Sequence, residues 1–566
     1  NIHWMICTEA KIMNLLHRFT NAVDFKNYDD FYNNFKLNVP DHFNFAYDVV
    51  DEYAKLEPSK RALVWCDDFG GEKIFDFADI KRISDQTANF FYSLGIRKGD
   101  TVLVILQRRH EYWTTLMGLS KLGAIGIPAT HMLMEKDLVY RMEKAGVKAV
   151  VAVDEEELCD NILKAASHVP SVKHLLVVGK REGFIDYDAA VEKQPENLLF
   201  DNRADCSADD TILIYFTSGT TGMPKMVCLS QRYTLGHIIT ARYWLRCLDE
   251  GLHFTLAETG WAKCSWGKLF GQWICGSAIF VYDFHGKFDP ADLLEYITKY
   301  KITTFCAPPT VYRFMMKTDL SKYDLSSIRT MMTAGEALNP EIYKQIYLKT
   351  GHRIYEGFGQ TETTVVCATF PDFVEIRPGS MGKPSPLYDV QLLNDEDQPV
   401  EEGAGEICIR LRHPQQGLFD GYYHDPELTE TVKHDGYYHL GDLAYRDSDG
   451  YYWFVGRKDD IIKSSGYRIG PFEVESALME HPAVLECAIT GVPDTEGVRG
   501  QLVKATIVLA KGYQPSEELK KELQNHVKKT TAPYKYPRVV EFVEELPKTI
   551  SGKIRRVQIR EKDARL

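Results

Sequence analysis

Thr217-Ser-Gly-Thr-Thr-Gly-Met-Pro-Lys225 is the stretch that decides how this 566-residue chain is interpreted. It follows residues 211–216, a β-branched and aromatic run that predicts a buried strand. A loop of glycines and hydroxyl residues that ends in lysine is typical of phosphate binding, because glycines allow backbone N–H groups to face an anion. The predicted phosphate-binding residues are Thr217, Ser218, Gly219, Thr220, Thr221, Gly222 and Lys225.

The loop differs from that of the ordinary nucleoside triphosphatases, because no Gly-Lys pair in this chain is followed by Ser or Thr. A polar turn after a strand is the alternative, and the density of glycine and hydroxyl residues argues against it. The nonapeptide instead resembles the phosphate loop of the acyl-adenylate-forming ligases. Later motifs narrow the resemblance to the AMP-forming acyl-CoA synthetases, in particular to the medium-chain group.

Composition excludes several other classes of protein. The formal charge of −13 argues against a general nucleic-acid binder. The 12 cysteines include no Cys-x-x-Cys pair, so we expect neither a disulfide framework nor a zinc site, and we expect a reducing compartment. No run of 18 apolar residues predicts a membrane-spanning helix.

The order of strand-like and helix-like runs predicts an α/β fold with more than one domain. From about residue 100 the two types of run alternate, which is typical of parallel sheets covered by helices. We predict a large N-terminal domain over residues 1–458 that includes an antiparallel β subdomain at about 379–455. A small, mobile α+β domain follows at 459–566. The first 40 residues are less informative, although 31–35 and 43–46 could form helices that pack on the large domain.

Tyr355-Glu-Gly-Phe-Gly-Gln-Thr-Glu-Thr363 resembles the segment that lies beside the nucleotide in this family. By resemblance, Glu362 holds Mg²⁺, Thr361 donates to the α-phosphate and Phe358 faces the adenine. The alternative is a charged loop at the end of a strand. Further nucleotide-binding residues implied by the resemblance are Gly335, Glu336 and Ala337 as a second adenine wall, Glu356, Gly357, Gly359 and Gln360, and the ribose-binding pair Asp442 and Arg457. For the last pair, an ion pair at a domain edge is the alternative.

Pro547-Lys-Thr-Ile-Ser-Gly-Lys553 carries the residue that resembles the catalytic lysine of the family. A carboxylate and an α-phosphate repel one another, and a mobile ammonium can bridge them while charge builds on phosphorus. Lysine suits a lobe that moves, because its stem is long and flexible. The resemblance places the hinge of that lobe at Asp459. Most lysines are solvated surface residues, so the surrounding sequence carries this prediction.

Ser464-Ser-Gly-Tyr-Arg-Ile-Gly-Pro471 resembles the segment around the pantetheine arm of CoA, since a glycine permits close approach of a slim ligand. The alternative is a hairpin turn with a solvated arginine. CoA-binding residues implied by the resemblance are Ser465, Gly466, Tyr467, Arg499, Lys528, Tyr536 and Arg538, and Arg468 is expected to meet the nucleotide phosphate.

The acyl pocket is expected around Trp261, Pro308 and Gly359. In relatives that activate acetate or propionate a tryptophan occupies the position of Gly359, so glycine is expected to open space for a larger acid. Trp261 is expected to limit the depth, and Lys263 is expected to point outward. The predicted substrate is a medium-chain or branched acid, with a small aromatic acid as an option.

The resemblance implies that ATP and the acid give acyl-AMP and pyrophosphate, and that CoA then gives acyl-CoA and AMP, with Mg²⁺ as the metal. Three alternatives are a free-standing adenylation enzyme that loads a carrier protein, a luciferase-like oxygenase and a non-catalytic nucleotide sensor. The expected partners are the small-molecule acid, ATP and CoA, with a second copy of the chain in a homodimer as an option. We expect a cytoplasmic location, or a peroxisomal one if Ala564-Arg565-Leu566 acts as a targeting signal.

Overall fold

The computed structural model describes residues 15–217, 223–286, 288–401, 403–465, 467–494, 499–548 and 553–564. The α-helices of these residues are α1 (Tyr28–Asn34), α2 (Glu52–Leu56), α3 (Phe77–Ser93), α4 (Glu111–Leu122), α5 (Glu135–Ala145), α6 (Glu156–His168), α7 (Tyr187–Glu192), α8 (Gln231–Ile238), α9 (Lys263–Gly267), α10 (Phe270–Ile274), α11 (Pro290–Tyr300), α12 (Pro309–Met315), α13 (Pro340–Thr350), α14 (Pro426–Glu430), α15 (Pro471–Met479), α16 (Glu517–Thr530) and α17 (Arg556–Asp563).

The strands, in chain order, are β1 (Arg61–Asp67), β2 (Glu72–Asp76), β3 (Thr101–Ile105), β4 (Ile125–Pro128), β5 (Ala149–Val153), β6 (His174–Val178), β7 (Ile185–Asp186), β8 (Thr211–Thr217), β9 (Lys225–Ser230), β10 (Leu252–Thr255), β11 (Ala278–Asp283), β12 (Thr304–Cys306), β13 (Thr330–Ala334), β14 (Ile354–Phe358), β15 (Cys367–Ala368), β16 (Lys383–Pro384), β17 (Asp389–Leu393), β18 (Gly403–Arg410), β19 (Gly421–Tyr422), β20 (Lys433–His434), β21 (Tyr437–Arg446), β22 (Tyr452–Arg457), β23 (Ile462–Ser464), β24 (Tyr467–Ile469), β25 (Val484–Pro493), β26 (Gln501–Leu509) and β27 (Val539–Val543).

Two large sheets form the body of the N-terminal region. The first has the order β16-β15-β14-β13-β12-β10-β11-β1-β2, and the second has the order β19-β9-β8-β4-β3-β5-β6-β7. Pairing is parallel in the middle of each sheet and antiparallel at edges such as β8–β9 and β14–β15. The predicted parallel sheets covered by helices are confirmed, and strand β3 is buried along its whole length as such sheets require.

Helix α4 is fully buried and packs closely against helix α3. Every residue of Glu111–Leu122 is buried, and Gly123 ends the helix in the left-handed conformation at φ 74°. Gly118 lies against Thr87 of α3, where an added β-carbon would be 2.6 Å from the threonine Cγ2. This helix–helix contact is therefore close enough to require glycine.

The predicted β subdomain is a five-stranded antiparallel sheet in which β17, β18, β21 and β20 are neighbours and β22 pairs with β21. After Arg457 the chain enters a separate hydrophobic cluster, in which α15 and α16 pack on β25, β26 and β27. The fold is thus a large domain with a small α+β domain at its C-terminal end. The exact boundary between 458 and 459 stays a prediction.

The N-terminal segment packs through aromatic rings, as its sequence predicted. Phe31 of α1 lies 4.6 Å from Tyr243 and 4.9 Å from Phe373 between ring centroids. Across the described residues, no helix has both the length and the apolar character needed to cross a membrane.

Candidate active site

The phosphate loop joins two antiparallel strands, and its two ends face each other. Thr217 closes β8, Lys225 opens β9, and the two residues are directly opposed in the ladder. Residues 218–222, which include Ser218, Gly219, Thr220, Thr221 and Gly222, lie outside the described residues. The predicted lysine is therefore brought back beside the first threonine of the loop by the hairpin itself.

Glu362, the predicted metal ligand, lies within electrostatic reach of Lys225. Tyr422 connects them, because its hydroxyl donates to Glu362 Oε1 at 3.2 Å and the Lys225 ammonium lies 5.3 Å from its ring centroid. Burial raises the pKa of Glu362, while the Lys225 and Arg457 charges favour its ionised form. A confined carboxylate oxygen of this kind fits the hard oxygen ligand that Mg²⁺ prefers.

Asp442 and Arg457 form the pair that the sequence assigned to ribose. They are directly opposed on β21 and β22, and Arg457 Nη1 donates to Asp442 Oδ1 at 3.2 Å. Gln360 holds the second oxygen, since its Nε2 donates to Asp442 Oδ2 at 2.5 Å and its Oε1 accepts from Tyr438 at 2.8 Å. Burial raises the pKa of Asp442, and the Arg457 and Gln360 contacts oppose that rise. The amide of Gln360 thus orients the carboxylate.

Gly441 explains why this motif contains glycine. Its φ is +70°, a conformation that side chains disfavour. An added β-carbon would also lie 3.2 Å from Arg457 Nη2. Any larger residue would therefore push the guanidinium away from Asp442.

Glu356 joins the two predicted adenine walls. Strand β14 carries it, and its Oε2 accepts from the backbone N–H of Leu338, at 3.3 Å, just after the Gly335-Glu336-Ala337 segment. Burial raises the pKa of Glu356 from 4.5 to about 8. Phe358, at the end of the same strand, has its ring 6.2 Å from that of Phe454. The adenine contacts of Gly335, Glu336, Ala337, Gly357, Phe358 and Thr361 remain predictions.

We expect Glu356→Gln to reduce the loss of stability that accompanies rising pH. A carboxyl whose pKa is raised in the folded state binds more protons there than in the unfolded chain, so its stabilising contribution is full below about pH 4.5 and is lost as pH approaches 8. Glutamine keeps a carbonyl for Leu338 and does not ionise. The melting temperature of the variant, relative to the native protein, should be higher at pH 8 than at pH 5, by on the order of 1–3 °C. An equal difference at both pH values would contradict the assignment.

Lys553 lies beside the nucleotide site. Its ammonium opposes the rise in the pKa of Asp442 that burial causes, and it adds to the lowering of the pKa of Lys263 by burial. Lys548, which precedes Lys553, and Ile554, which directly follows it, pair through an isolated antiparallel β-bridge. The C-terminal domain thus brings the predicted catalytic lysine within electrostatic reach of Asp442.

The predicted CoA residues form two groups in the C-terminal domain. Ser465 donates its backbone N–H to Arg499 O at 2.9 Å, and Arg499 Nη1 donates to Ser465 Oγ at 3.3 Å. Lys528 and Arg538 lie 4.0 and 4.7 Å from the centroid of the Tyr536 ring. Gly466 lies outside the described residues. The geometry gathers cationic and aromatic groups, and the binding of CoA by them remains a prediction.

Tyr467 and Arg468 face other partners. The Tyr467 ring stacks on Tyr534 at 4.0 Å, with a 15° angle between the planes. The exposed Arg468 forms a two-pronged ion pair with Asp395 of the N-terminal domain. This pair spans the two domains, whereas the sequence assigned Arg468 to the nucleotide phosphate. That role stays a prediction.

The space beside Gly359 is already filled. A β-carbon added there would lie 2.3 Å from Trp266 Cη2 and 2.6 Å from Thr364 O. Trp266 in turn meets Trp244 edge to face, with ring centroids 6.3 Å apart. The expectation that glycine leaves this space open is therefore corrected, because an indole from α9 occupies it.

The expectation that Lys263 points outward is also wrong. Its Nζ donates to Ala334 O, at the end of β13, at 2.8 Å. Burial lowers its pKa, and Cys306 and Glu336 lie within electrostatic reach. A positive charge is thus held between the adenine wall and the predicted acyl pocket. Trp261 and Pro308 are both partly buried, and their pocket roles remain predictions.

Sequence reasoning missed several residues of the site: Tyr422, Trp244, Trp266, Tyr438 and Tyr534. Tyr438 begins the motif that ends at Asp442, so its position in that motif could have indicated that it belongs to the site. Trp266 follows Trp261 in the stretch that supplied the pocket prediction. The other three lie far along the chain from the motifs they support, and only the fold brings them in.

Comparison with known proteins agrees with this geometry. The family described as AMP-binding enzyme matches residues 50–423, and the AMP-binding enzyme C-terminal domain matches 473–553. The mouse protein named acyl-coenzyme A synthetase ACSM3, mitochondrial, is 39% identical over 97% of this chain and 95% of its own length. Human ACSM4, also named mitochondrial, is 41% identical over 93% of this chain and 92% of its own.

A solved anthranilate CoA ligase, AuaEII, in complex with anthranoyl-AMP, superposes with a TM-score of 0.84 at 29% identity, and the match covers 93% of this chain and 99% of the ligase. A benzoate CoA ligase from Burkholderia xenovorans LB400 shares the fold at 24% identity with a TM-score of 0.79, over 92% of this chain and all of its own. The chain belongs to the AMP-binding enzyme family and is an AMP-forming acyl-CoA synthetase related to the medium-chain group.

Proposed function

We propose that this synthetase activates a medium-chain or branched aliphatic acid, with the branched and shorter members preferred. The observation that carries the proposal is the Trp266 indole beside Gly359, in the region where the acyl pocket is predicted. Trp244 stands behind it, so the wall has two rings. A pocket closed by such a wall accommodates a wide acyl group better than a long one.

The reaction follows from how the charged groups converge. A carboxylate oxygen of the acid attacks the α-phosphorus of ATP, the bond to the bridging oxygen breaks, and pyrophosphate leaves. Lys553 would stabilise the charge that builds on the α-phosphoryl oxygens, and Asp442 with Arg457 would hold the ribose. Glu362 would hold Mg²⁺, which supplies neutralisation of phosphate charge.

Lys263 supplies a second positive charge on the acid side of this centre. Its ammonium is fixed by Ala334 O and lies within electrostatic reach of Lys553. Two cations that converge on one region suit an anionic carboxylate, because each reduces its repulsion from the α-phosphate. Lys263 therefore serves to position the acid before adenylation.

In the second step the CoA sulfur bonds to the acyl carbon, the bond between that carbon and the AMP oxygen breaks, and the thiol proton is lost. The cationic and aromatic groups at Arg499 and Tyr536 would bind the polyanionic end of CoA. Consumption of free CoA, measured without any carrier protein, separates this function from that of a free-standing adenylation enzyme.

Trp266→Ala is expected to shift the preference toward longer acids. Removal of the indole leaves a space beside Gly359, and each methylene that then becomes buried favours binding by about 0.8 kcal/mol. Across a panel of straight and branched acids, the optimum chain length should rise by two or more carbons, and kcat/KM for the branched acids should fall by about 10-fold.

Trp273→Phe is the matched control. Trp273 is buried like Trp266, with 0% against 7% of its surface exposed, but its Nε1 donates to Ala62 O in the core, at 3.0 Å. It should therefore lower stability and leave the order of preferred acids unchanged. An unchanged order in Trp266→Ala as well would contradict the proposed pocket.

The named relatives suggest a mitochondrial location, and we infer the same compartment for this chain in place of the cytoplasmic or peroxisomal one. Fractionation of cells that express the natural full-length protein, followed by detection of the native chain, tests this inference.

A further inference from the structure

The β subdomain carries a group of metal-binding side chains that the acyl-CoA synthetase reaction does not use. Cys408 of β18 and His439 of β21 are directly opposed in the antiparallel ladder. Glu406 lies two residues before Cys408, and alternate residues of a strand share a face. Thiol, imidazole and carboxylate are therefore placed on one side of the sheet.

The distances between these groups match those around a tetrahedral zinc ion. Cys408 Sγ lies 3.4 Å from His439 Nδ1, and His439 Nδ1 lies 3.5 Å from Glu406 Oε2. With ordinary zinc bond lengths, a tetrahedral site separates sulfur from nitrogen by about 3.5 Å and nitrogen from oxygen by about 3.3 Å. One atom from each side chain lies within 4.8 Å of the others. The three donors can thus reach one ion with little movement.

Burial adds a second observation. The His439 side chain is 8% exposed and the Glu406 side chain 5%. Within the part of the chain that the structure describes, His439 Nε2 is buried without a hydrogen-bond partner. The nitrogen that faces the thiol and the carboxylate is the other one, Nδ1, so the buried imidazole turns a potential metal ligand toward the two remaining donors.

We propose that Glu406, Cys408 and His439 bind Zn²⁺. The donor set of one sulfur, one nitrogen and one oxygen suits a borderline-soft ion and excludes Mg²⁺ and Ca²⁺, which take oxygen ligands. Binding displaces the thiol proton of Cys408 into solvent as the Zn–S bond forms, so affinity rises with pH.

The ammonium of Lys458 competes with a metal ion for Glu406. Its Nζ donates to Glu406 Oε2 at 2.7 Å, which is the oxygen that faces His439. The backbone N–H of Gly441 holds the other oxygen at 3.0 Å. Zinc must therefore share or replace the ammonium contact, and removal of Lys458 should strengthen binding.

Co²⁺ titration of the reduced full-length protein tests the proposal, since Co²⁺ replaces Zn²⁺ and reports thiolate ligation by near-ultraviolet absorption. One equivalent should bind with that absorption, and one equivalent of Zn²⁺ should displace it. Cys408→Ser should abolish the absorption, and His439→Gln should weaken binding on the order of 100-fold. Lys458→Ala, at a half-exposed residue, should tighten it several-fold.

Cys487→Ser is the control, because Cys487 is a buried cysteine of the C-terminal domain whose thiol donates to Glu475 O. It should leave the titration unchanged. The proposal fails if the native protein binds no equivalent of Co²⁺, if the absorption survives in Cys408→Ser, or if Lys458→Ala binds more weakly. Circular dichroism of each variant checks that it is folded. Lys458→Ala is expected to bind Co²⁺ more tightly, so the test still has an outcome if the Cys408→Ser variant does not fold.

Discussion

Lys553→Ala is expected to slow acyl-AMP formation by on the order of 10²–10³-fold, the range found when one donor to a developing charge is removed. The lysine faces the site from the C-terminal domain and acts electrostatically on both Asp442 and Lys263. Without its ammonium, the carboxylate and the α-phosphate meet with less neutralisation. Carboxylate-dependent exchange of pyrophosphate into ATP measures this step directly.

The second half-reaction provides the internal comparison. Formation of acyl-CoA from supplied acyl-AMP needs no attack of one anion on another, so Lys553→Ala should retain it within a few-fold. Lys548→Ala is the matched variant, because Lys548 belongs to the same segment and pairs with Glu486 at 2.8 Å on the surface of its own domain. It should affect neither step. Equal loss of both half-reactions in Lys553→Ala would mean that the lysine only supports the fold.

Local pattern was enough to predict the elements of the fold. The alternation of strand-like and helix-like runs that begins near residue 100 corresponds to strands β3 to β6, with helices α4 to α6 between them. These elements depend on short-range properties of the chain, which a sequence displays directly.

Motifs likewise predicted the polar residues of the site, since chemistry restricts which residues can hold a phosphate or a ribose. The surroundings of each residue were harder to predict from the sequence. Gly359 suggested open space, but whether space is open depends on Trp266 of α9, which lies against Gly359. Lys263 resembled a surface lysine, and only the end of β13 shows that it has a buried acceptor.

The Glu406–Cys408–His439 group illustrates the same limit. Metal sites are recognised in sequences by short spacings between ligands, and this chain has no Cys-x-x-Cys pair. Here two strands bring the ligands together across the ladder, where Cys408 opposes His439. Spacing along the chain carries no trace of that register, so a search for short ligand spacings could not have found the proposed site.

Asp459→Pro is expected to separate the two half-reactions in the opposite sense from Lys553→Ala. Asp459 lies two residues after the end of strand β22, and its neighbours are held by backbone hydrogen bonds, from Lys458 N–H to Gly441 O at 2.9 Å and from Asp460 N–H to Arg457 O at 3.0 Å. Rotation of the C-terminal domain would have to occur within this short segment. Proline holds φ near about −65° and restricts the residue before it, so it removes that freedom.

The C-terminal domain would move as one piece, because its last helix is tied to it. Arg556 of α17 donates to both oxygens of Glu475, at 2.6 and 2.8 Å, and so anchors the segment after Lys553 to helix α15. A rotation at Asp459 therefore carries the lysine away from the nucleotide and turns the surface around Arg499 and Tyr536 toward it. With rotation blocked in the present orientation, adenylation continues and thioester formation does not.

We therefore expect Asp459→Pro to retain pyrophosphate exchange within about 5-fold and to lose acyl-CoA formation by about 100-fold, as misplacement of reacting groups commonly costs. Asp459→Ala is the control, since it removes the carboxylate that lies 3.8 Å from Arg457 Nε and leaves the backbone free. If both variants lose acyl-CoA formation equally, the carboxylate is the essential feature and the hinge lies elsewhere. If the proline variant loses both half-reactions to the same extent, domain rotation at this residue does not separate them.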